Sequence, residues 1–325
     1  MWLQHMGATV RGYALAPSTE PALFEAAGLA GMDSRIANIC DAAALNAAIA
    51  DFQPTVLIHM AAQPLVRLSY DEPIETFHTN VVGSANVLEA ARHTPSLRAV
   101  VSITTDKCYE NLEQIWPYRE IDRLGGRDPY SASKACAELV AACYHWSYFS
   151  KSATCGTATV RAGNVIGGGD WSKDRLIPDM AQAFAAGRPG LIRRPNGVRP
   201  WQHVLEPIAG YLLAAEHVYG KTQAVPQAWN FGPDAEGNVT VGEVVSLFRE
   251  AWGGSAQVEI RPDPNAPHEA TLLALDSTKA KTELGWSPRF SLPESLRMTA
   301  DWYRAFYEGR DVRALSLAQI DSYTQ

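Results

Sequence analysis

The chain has 325 residues, of which 46% are hydrophobic and 19% charged, a balance that excludes a disordered, collagen-like or coiled-coil protein. Its 28 Lys and Arg residues against 35 Asp and Glu residues leave a formal net charge of −7, which provides no general field for holding nucleic acid. No apolar run approaches the roughly 20 residues of a membrane span, and no secretory signal pattern is recognised. The length predicts about two lobes, and neither nucleic acid nor a membrane is expected as a partner.

The cysteines are odd in number and scattered, and no two of them form a C-x-x-C pair. This pattern indicates reduced thiols in a cytoplasmic protein rather than a disulfide framework. No metal site is predicted. The five are Cys40, Cys108, Cys136, Cys143 and Cys155.

Short apolar runs alternate with helical patterns in the first half of the chain. One run, Thr55–Met60, is continuously apolar, which is typical of a strand buried on both faces. The alternation predicts an α/β protein with a doubly wound parallel sheet. In chain order we expect strand Ala8–Tyr13, helix Asp41–Asp51, strand Thr55–Met60, helix Asp71–His93, strand Leu97–Thr104, helix Pro129–Tyr148 and strand Thr154–Arg161.

The alternation breaks after residue 162, where Gly and Pro accumulate and helical and extended pieces follow each other irregularly. We therefore expect a cofactor-binding lobe over residues 1–162 and a smaller, mixed α/β substrate lobe over residues 163–325. In the second lobe we expect helix Gly242–Trp252, strand Val258–Arg261 and helix Leu292–Tyr307.

A Y-x-x-x-K motif lies at the start of the predicted helix 129–148. Tyr130 and Lys134 are four residues apart, so their side chains share one helix face. A nearby ammonium favours the phenolate, and we expect it to lower the pKa of Tyr130. Such a phenolate can take the proton of a sugar hydroxyl while a nicotinamide takes the hydride. By itself the motif is weak, because an exposed helix pair has the same spacing.

A second polar group, Thr105-Asp106-Lys107, follows the predicted strand 97–104. Catalytic groups in open α/β sheets lie at the carboxyl ends of strands. The alternative for Asp106 is a helix cap or a turn residue. With Tyr130 and Lys134 further along, the layout resembles the short-chain dehydrogenase/reductase superfamily. The resemblance implies that Thr105 orients the substrate hydroxyl for the tyrosine.

The same resemblance implies a cofactor-binding role for residues of three further segments. Ala61 and Ala62, at the end of a strand, are small enough to let a cofactor approach the backbone. The side chain of Asn80 is implied to hydrogen-bond the main chain near the active site. The alternative is that Asn80 is a helix residue that faces solvent. Asn38 lies where the superfamily places an Asp against the adenine; it departs from that pattern, but its amide oxygen can accept from the adenine amino group.

Longer ungapped strings extend the resemblance from Trp2 to about Tyr307. In these strings the chain resembles the CDP-glucose 4,6-dehydratase family, which is an extended, Rossmann-type group of nucleotide-sugar enzymes within the superfamily. The strings are Ala61–Tyr70, Thr105–Lys107, Asp128–Lys134, Arg161–Trp171, Arg199–Pro207, and His268–Ala270 followed by Leu275 and Asp276.

The resemblance implies a lyase that uses NAD and CDP-glucose in deoxysugar synthesis of the O-antigen or lipopolysaccharide type. Tyr130 takes the proton of the hydroxyl at carbon 4 as NAD takes the hydride, water then leaves across carbons 5 and 6, and the hydride returns to carbon 6. Asp106 is placed to protonate the departing hydroxide if its carboxyl stays protonated in a dry site. The implied product is CDP-4-dehydro-6-deoxyglucose.

Lys107 distinguishes this chain from similar dehydratases, because those acting on dTDP-glucose carry Asp-Glu here, with the glutamate as the base at carbon 5. A lysine serves as a base only where its pKa is depressed. The alternative is that Lys107 positions Asp106 or a water by charge, and that Tyr109 or another group is the base.

The substrate side is assigned by the same resemblance. Arg175 and Arg199 offer guanidinium groups to a diphosphate. The alternative for either arginine taken alone is a solvated charge on the surface. Family members pair through two long helices, here 71–93 and 129–148, so a homodimer or homotetramer is expected. The substrate-binding residues implied are Gln63, Asn164, Arg175, Arg199, His268 and Glu269.

Two alternatives stay open at this point. A nucleotide-sugar epimerase or decarboxylase shares Tyr130 and Lys134, but it has no use for a proton donor beside Thr105. The second alternative is an inactive, truncated chain, because no strand with a Gly-rich turn precedes Met1–Val10, which looks like a helix end running into a second strand. On that reading we expect a gap or a non-native pairing in the sheet, weak NAD binding and poor folding. NAD over NADP is carried by the resemblance.

Overall fold

The computed structural model describes residues 1–152, 154–254, 256–262 and 271–325. Its strands are β1 (Gly12–Ala14), β2 (Ser34–Ile36), β3 (Val56–His59), β4 (Ala99–Ile103), β5 (Gly156–Ala162), β6 (Asn164–Ile166), β7 (Gly190–Ile192), β8 (Val198–His203), β9 (Gln227–Phe231), β10 (Asn238–Thr240) and β11 (Val258–Ile260). Its α-helices are α1 (Trp2–His5), α2 (Leu23–Ala26), α3 (Ala42–Phe52), α4 (Val66–Asp71), α5 (Pro73–Phe77), α6 (Ser84–Arg92), α7 (Pro129–Ser147), α8 (Leu176–Ala185), α9 (Leu205–Val218), α10 (Val241–Trp252), α11 (Thr278–Leu284), α12 (Leu292–Tyr307) and α13 (Val312–Thr324).

The central sheet has the order β3-β4-β5-β9, and all of its neighbouring strands are parallel. Helices cover both faces, as the apolar runs of parallel strands require. On one face Leu88 of α6 packs with Val100 of β4. On the other, Tyr211 of α9 packs with Val160 of β5. The doubly wound α/β architecture predicted from the sequence is confirmed.

A second, two-stranded parallel sheet of β1 and β2 is separate from the central sheet in the described part of the chain. A cavity of 1240 Å³ lies between the two sheets, and every residue of Thr55–Met60 lines it. Successive side chains of a strand point to opposite faces of the sheet. Residues of both faces can therefore line one cavity only if the cavity lies along the edge of the strand. This separation agrees with the expected gap. The expectation that Thr55–Met60 is buried on both faces is wrong, because β3 is an edge strand and Val56 is 37% exposed.

The long helix predicted over residues 71–93 is built from three parts. Helix α5 begins with Pro73, where the missing N–H costs no helical bond. A π-helical turn, His78–Gly83, follows, and α6 completes the run. Single π-helical turns inside α-helices are frequent at functional sites. Here the turn contains Asn80, which is buried.

The second lobe holds a mixed sheet of order β10-β8-β6 and a parallel pair of β7 with β11. Its core packs Trp201 of β8 with Phe248 of α10 and Leu296 of α12. The chain enters this lobe after β5 and then returns, since α9 and β9 complete the central sheet and its cover. The lobe boundary at residue 162 stays a prediction. Strand β9 lies in the central sheet although it follows that boundary, and Leu23 of α2 packs on the second lobe's core although it precedes it.

Three further observations concern the chain as a whole. All five cysteines carry free thiols. Within the described ranges, no helix has the length and apolar character needed to cross a membrane. The same residues contain no group of three or more His, Cys, Asp or Glu side chains placed to share a metal ion.

Gly156 provides a test of the packing between the central sheet and α9. A Cβ atom at this position would lie 2.2 Å from the carbonyl oxygen of Val218 and 2.5 Å from that of Lys221. We expect Gly156→Ala to lower the free energy of unfolding by about 1–3 kcal/mol, because backbone atoms cannot move aside as a side chain can. Urea denaturation measures the change. The control is Gly31→Ala, whose Cβ meets nothing within 4 Å; an equal loss in both variants would contradict this packing.

Candidate active site

Thr105, Asp106 and Lys107 lie at the carboxyl end of β4, as the sequence predicts. Asp106–Cys108 forms a 3-10 turn whose N-cap is Thr105. The Thr105 hydroxyl accepts from the Lys107 amide at 3.4 Å and donates to Asp106 Oδ1 at 3.0 Å. Thr105 thus holds the turn together, and the N-cap role weighed for Asp106 belongs to its neighbour.

The Asp106 carboxyl is 2% exposed, and its Oδ2 atom has no hydrogen-bond partner among the described residues. Burial raises the pKa of Asp106, against the opposing effects of Lys107, Thr105 and Arg199. A raised pKa keeps the proton on the acid toward neutral pH. The environment therefore favours a protonated Asp106 with one oxygen available to a ligand.

Tyr130 lies in the first turn of α7, which begins after the Asp128 side chain caps the amide of Ser131. The Tyr130 amide donates to Ser69 Oγ at 3.1 Å, which fixes the helix start. Burial raises the pKa of Tyr130 to about 12, while a Thr105 hydrogen bond and the Arg175 charge oppose this rise. The expectation that Lys134 lowers this pKa is wrong for this structure, because desolvation of the buried phenol is the larger effect.

Lys134 is 7% exposed, and burial lowers its pKa to about 8. Its ammonium donates to the Ile103 carbonyl oxygen at 3.3 Å, at the end of β4. An ammonium has three donors, and this is the one acceptor found for it in the part of the chain that the structure describes. The remaining donors suit the hydroxyl groups of a ribose, so Lys134 together with Tyr130 fits the nicotinamide end of a dinucleotide.

Asn80 bonds main chain, as the resemblance implies. Its Oδ1 accepts from the Gln63 amide at 2.8 Å, and its Nδ2 donates to the Gln63 carbonyl at 3.1 Å and to Ser133 Oγ at 2.9 Å. The solvent-facing alternative is wrong, since Asn80 is 1% exposed. Asn80 therefore ties the segment after β3 to α7.

Gln63 is largely occupied by its own turn. Its Nε2 donates to the Leu65 carbonyl and to Thr76 Oγ1, and its Oε1 accepts from the Leu65 amide at 2.6 Å. These bonds assign the amide to holding the turn into α4. A substrate contact by Gln63 stays a prediction.

The remaining predicted cofactor residues lie near β2 and β3. Ala61 lines the cavity between the two sheets, and Ala62 follows it. Asn38 Oδ1 accepts from the Cys40 amide at 2.8 Å and keeps a second lone pair for a ligand. The neighbouring Asp41 caps α3 through the Ala44 amide. The described residues form no Gly-rich turn for a pyrophosphate, so the donors that suit a dinucleotide are those at Tyr130 and Lys134.

A cavity of 240 Å³ adjoins the turn that contains Thr105, Asp106 and Lys107. Lys107 and Arg199 both line this cavity. Arg199 is buried and donates to the Val198 carbonyl at 2.8 Å and to the Thr271 carbonyl at 3.2 Å. Its charge acts on Asp106, whereas that of Arg175 acts on Tyr130. Both arginines are therefore placed around the catalytic groups.

The other predicted substrate residues differ in their placement. Arg175 is the N-cap of α8, with its Nε 3.6 Å from Asp170 Oδ2. Asn164 begins β6 opposite Trp201 and is partly buried. His268 and Glu269 lie outside the described residues.

The structure adds residues that the sequence did not single out. Tyr70, Arg127 and Ser131 line the small cavity with Lys107. Below it, Glu138 and Arg161 form a buried ion pair at 2.7 Å. A signal for Glu138 existed, because it lies four residues after Lys134 on the same helix face.

Tyr109 was considered as an alternative base. Its hydroxyl donates to Asn230 Oδ1 at 2.7 Å and accepts from Arg161 Nη1 at 2.7 Å. Burial raises its pKa, and the residue is 1% exposed. These contacts give Tyr109 a supporting role, although the residue also lines the small cavity with Lys107. Tyr109 as the base stays an untested alternative.

Solved structures of nucleotide-sugar enzymes share this fold. The UDP-glucose 4-epimerase of Thermotoga maritima, solved with UDP-glucose, matches 94% of this chain and 93% of its own with a TM-score of 0.80 at 23% identity. The UDP-glucose 4-epimerase of Thermus thermophilus, solved with NAD, matches 93% of each chain with a TM-score of 0.79 at 24% identity. At this identity the likeness defines the class of fold, which is a Rossmann-type α/β fold.

Sequence comparisons define the family more narrowly. The family model described as GDP-mannose 4,6 dehydratase matches residues 30–299. The CDP-glucose 4,6-dehydratase of Salmonella typhimurium is 47% identical over 328 residues, covering 99% of this chain and 91% of that relative. A dTDP-glucose 4,6-dehydratase of Streptomyces antibioticus is 30% identical over 271 residues, covering 82% and 75%. The chain belongs to this family of nucleotide-sugar 4,6-dehydratases.

The Asn80 contacts generate a prediction on stability. Asn80→Ala leaves the partly buried amide and carbonyl of Gln63 without their partner, so we expect the free energy of unfolding to fall by about 1–3 kcal/mol. The control is Thr79→Ala on the same π-helical turn, whose hydroxyl donates to Glu75 at an exposed position; its effect should stay within about 0.5 kcal/mol. Chemical denaturation compares the two variants, and similar losses would argue against the role of Asn80.

Proposed function

We propose that this chain catalyses the 4,6-dehydration of CDP-glucose, a hydro-lyase reaction that yields CDP-4-dehydro-6-deoxyglucose and water. One observation carries the proposal: a buried carboxyl, Asp106, lies beside Thr105 and in the same site as Tyr130, with one oxygen that no described residue bonds. A proton donor in this position serves an elimination, whereas a simple epimerisation at carbon 4 has no use for it. The 47% identity to a CDP-glucose 4,6-dehydratase over 99% of the chain supports the substrate.

The first step removes the proton from the hydroxyl at carbon 4. Thr105 orients that hydroxyl, and the Tyr130 oxygen accepts its proton. Arg175 and Thr105 favour the phenolate against the effect of burial. Lys134 would hold the ribose of the cofactor through the ammonium donors that have no acceptor among the described residues. NAD, when bound, supplies the hydride acceptor for carbon 4 and later the hydride for carbon 6.

The second step removes water across carbons 5 and 6. The ketone at carbon 4 acidifies the proton at carbon 5, and Lys107 is the proposed base for that proton. Asp106 gives its own proton to the hydroxide that leaves carbon 6, which requires the protonated carboxyl that burial favours. The donor and the base thus come from adjacent residues of one rigid turn.

Cofactor and substrate are held from two sides. On the cofactor side the proposal assigns Asn38, Ala61, Ala62 and Asn80. On the substrate side it assigns Arg175 and Arg199 to the diphosphate, because each offers a guanidinium group beside the catalytic residues. The remaining proposed substrate contacts are Gln63, Asn164, His268 and Glu269.

The assembly proposed is a homodimer formed through the helices of residues 71–93 and 129–148. Large apolar side chains on both helical runs are exposed in the single chain, as an interface requires. Light scattering of the purified protein measures the mass and separates a dimer from a tetramer. The exposed side chains include Ile74, Val82, Leu139 and Trp146.

The cell compartment proposed is the cytoplasm, because free thiols persist where glutathione and thioredoxin keep them reduced. The reaction is proposed to serve the synthesis of deoxysugars of the lipopolysaccharide type.

The direct test incubates the purified protein with NAD and CDP-glucose and follows the 4-keto product by its alkaline absorbance and by mass. Dehydration lowers the mass of the nucleotide sugar by one water. A product with unchanged mass and an inverted carbon 4 would instead show an epimerase. With UDP-, GDP- and dTDP-glucose as competing substrates, preferential loss of CDP-glucose supports the proposed specificity, and equal loss contradicts it.

Tyr130→Phe tests the proton acceptor. We expect turnover to fall by at least about 10²–10⁴-fold, because general base catalysis is lost, while CDP-glucose binding measured by calorimetry stays within a few fold. Tyr144→Phe, on the same helix, removes a hydroxyl that bonds Glu89 outside the site and should leave turnover near the original rate. Near-normal product formation by Tyr130→Phe would remove Tyr130 from the mechanism.

Asp106→Asn tests the proton donor for the leaving hydroxide. An amide cannot supply this proton at useful cost, so oxidation at carbon 4 should proceed and elimination should stop. The reduced nicotinamide should then accumulate and be visible by its absorbance, in contrast to Tyr130→Phe, where none should appear. A variant that never reduces the cofactor would show that Asp106 acts before elimination.

A further inference from the structure

A buried ion pair that the proposed mechanism does not use lies directly behind the catalytic residues. Glu138 of α7 and Arg161 of β5 have side chains that are 3% and 4% exposed. Arg161 binds the carboxylate through two nitrogen atoms, Nε at 2.9 Å and Nη2 at 2.7 Å. This two-pronged geometry restricts both side chains to one arrangement.

The Glu138 carboxylate reaches the strand end that carries the catalytic turn. Besides Arg161, it accepts from Thr104, which directly precedes Thr105, and from Thr159 Oγ1 at 2.8 Å. Glu138 follows Lys134 by four residues and Tyr130 by eight, so the three side chains share one face of α7. A single carboxylate therefore joins the tyrosine and lysine helix to the amino end of the turn.

Arg161 reaches the other end of the same turn. Its Nη1 donates to the Tyr109 hydroxyl, which in turn donates to Asn230 of β9, both at 2.7 Å. The Tyr109 ring also stacks on Tyr118 with ring centroids 5.2 Å apart. The 3-10 turn of Asp106–Cys108 is thus held at both ends, at Thr104 and at Tyr109, by one ion pair.

Stability alone does not explain a charged pair at this position. Removing two charges from water is costly, and apolar side chains of similar volume often stabilise a core equally or better. What the pair provides is a unique geometry, because its many directed bonds allow one placement of the turn relative to α7. Reactions of this kind are sensitive to such placement, since a shift of about 1 Å can cost about 10²-fold in rate.

We propose that Glu138 and Arg161 are positioning residues that hold the Thr105–Asp106–Lys107 turn in register with Tyr130 and Lys134. The proposal rests on the proposed dehydratase function for its kinetic consequences. Its structural content, a turn held at both ends, does not depend on the identity of the substrate.

Glu138 also acts on the charge of Lys134. Its carboxylate raises the pKa of the buried ammonium against the effect of desolvation. Cys108 acts on Lys134 only when ionised, and burial raises the pKa of its thiol, so it stays neutral. Burial and the Lys134 charge lower the pKa of His59 on β3 to about 3, so that imidazole stays neutral too. Without the Glu138 charge, the pKa of Lys134 falls further, and the protonated lysine is lost at lower pH.

Glu138→Gln is the first test. We expect kcat to fall about 10²-fold with KM changed by less than about threefold, because the reacting groups are misplaced while the contacts that bind the substrate are unchanged. The alkaline limb of the pH profile should move to lower pH, following Lys134. Hydrogen exchange of the amides from Thr104 to Tyr109 should become faster, while that of β9 stays slow.

A matched pair of variants on β5 keeps all charges and tests position alone. Thr159→Val removes one donor to Glu138, whereas Thr157→Val removes the bond to His145, at 2.9 Å, on the same strand. Thr159→Val should lower kcat and speed exchange in the turn without moving the alkaline limb. Thr157→Val should do neither. These variants remain informative if Glu138→Gln fails to fold.

The outcomes separate this proposal from the proposed function. If Thr159→Val and Thr157→Val lower stability and kcat equally, with no selective exchange in the turn, the ion pair is merely structural and the proposal is wrong. If the unaltered protein does not dehydrate CDP-glucose, the function fails, while the exchange comparison still decides whether Glu138 and Arg161 hold the turn.

Discussion

The packing of α7 against the carboxyl ends of β4 and β5 is the constraint on which the rest of the site depends. Tyr130 and Lys134 come from the helix, and Thr105 and Asp106 come from the strand end, so their chemistry requires the two elements to keep one register. The buried ion pair of Glu138 and Arg161 supplies directed bonds at this contact. A contact made of apolar side chains alone would leave the helix freer to slide and rotate on the sheet.

Burial favours the neutral form of each group proposed to be catalytic. It raises the pKa of Asp106 and of Tyr130, and it lowers the pKa of Lys134. This suits an acid that must give up a proton during elimination. It opposes a phenolate base, so the charges around Tyr130 become decisive. Arg175 is one such charge, and it comes from the second lobe.

The two parallel sheets of the first lobe face each other across a large cavity. The edge of β3 lines that cavity, which explains why an apolar strand is only partly buried. The predicted cofactor residue Ala61 lies at the same edge. Asn80 of the π-helical turn bonds the backbone amide and carbonyl of Gln63, which follows β3. The irregular helix thus fixes the segment that leaves the exposed strand edge.

The sequence by itself determined the order and type of the main elements and the residues of the candidate catalytic turn, Thr105–Asp106–Lys107. Apolar runs and helical spacing are local properties, and so is the four-residue step that brings Tyr130 and Lys134 to one helix face. Only the tertiary structure decided which residues support them. The partner of Glu138, Arg161, lies on a strand that is distant in the sequence. The upward shift of the Tyr130 pKa depends on burial by elements that are also distant in the chain. Desolvation and long-range pairing arise only in the packed fold, so a local pattern of residues cannot predict them.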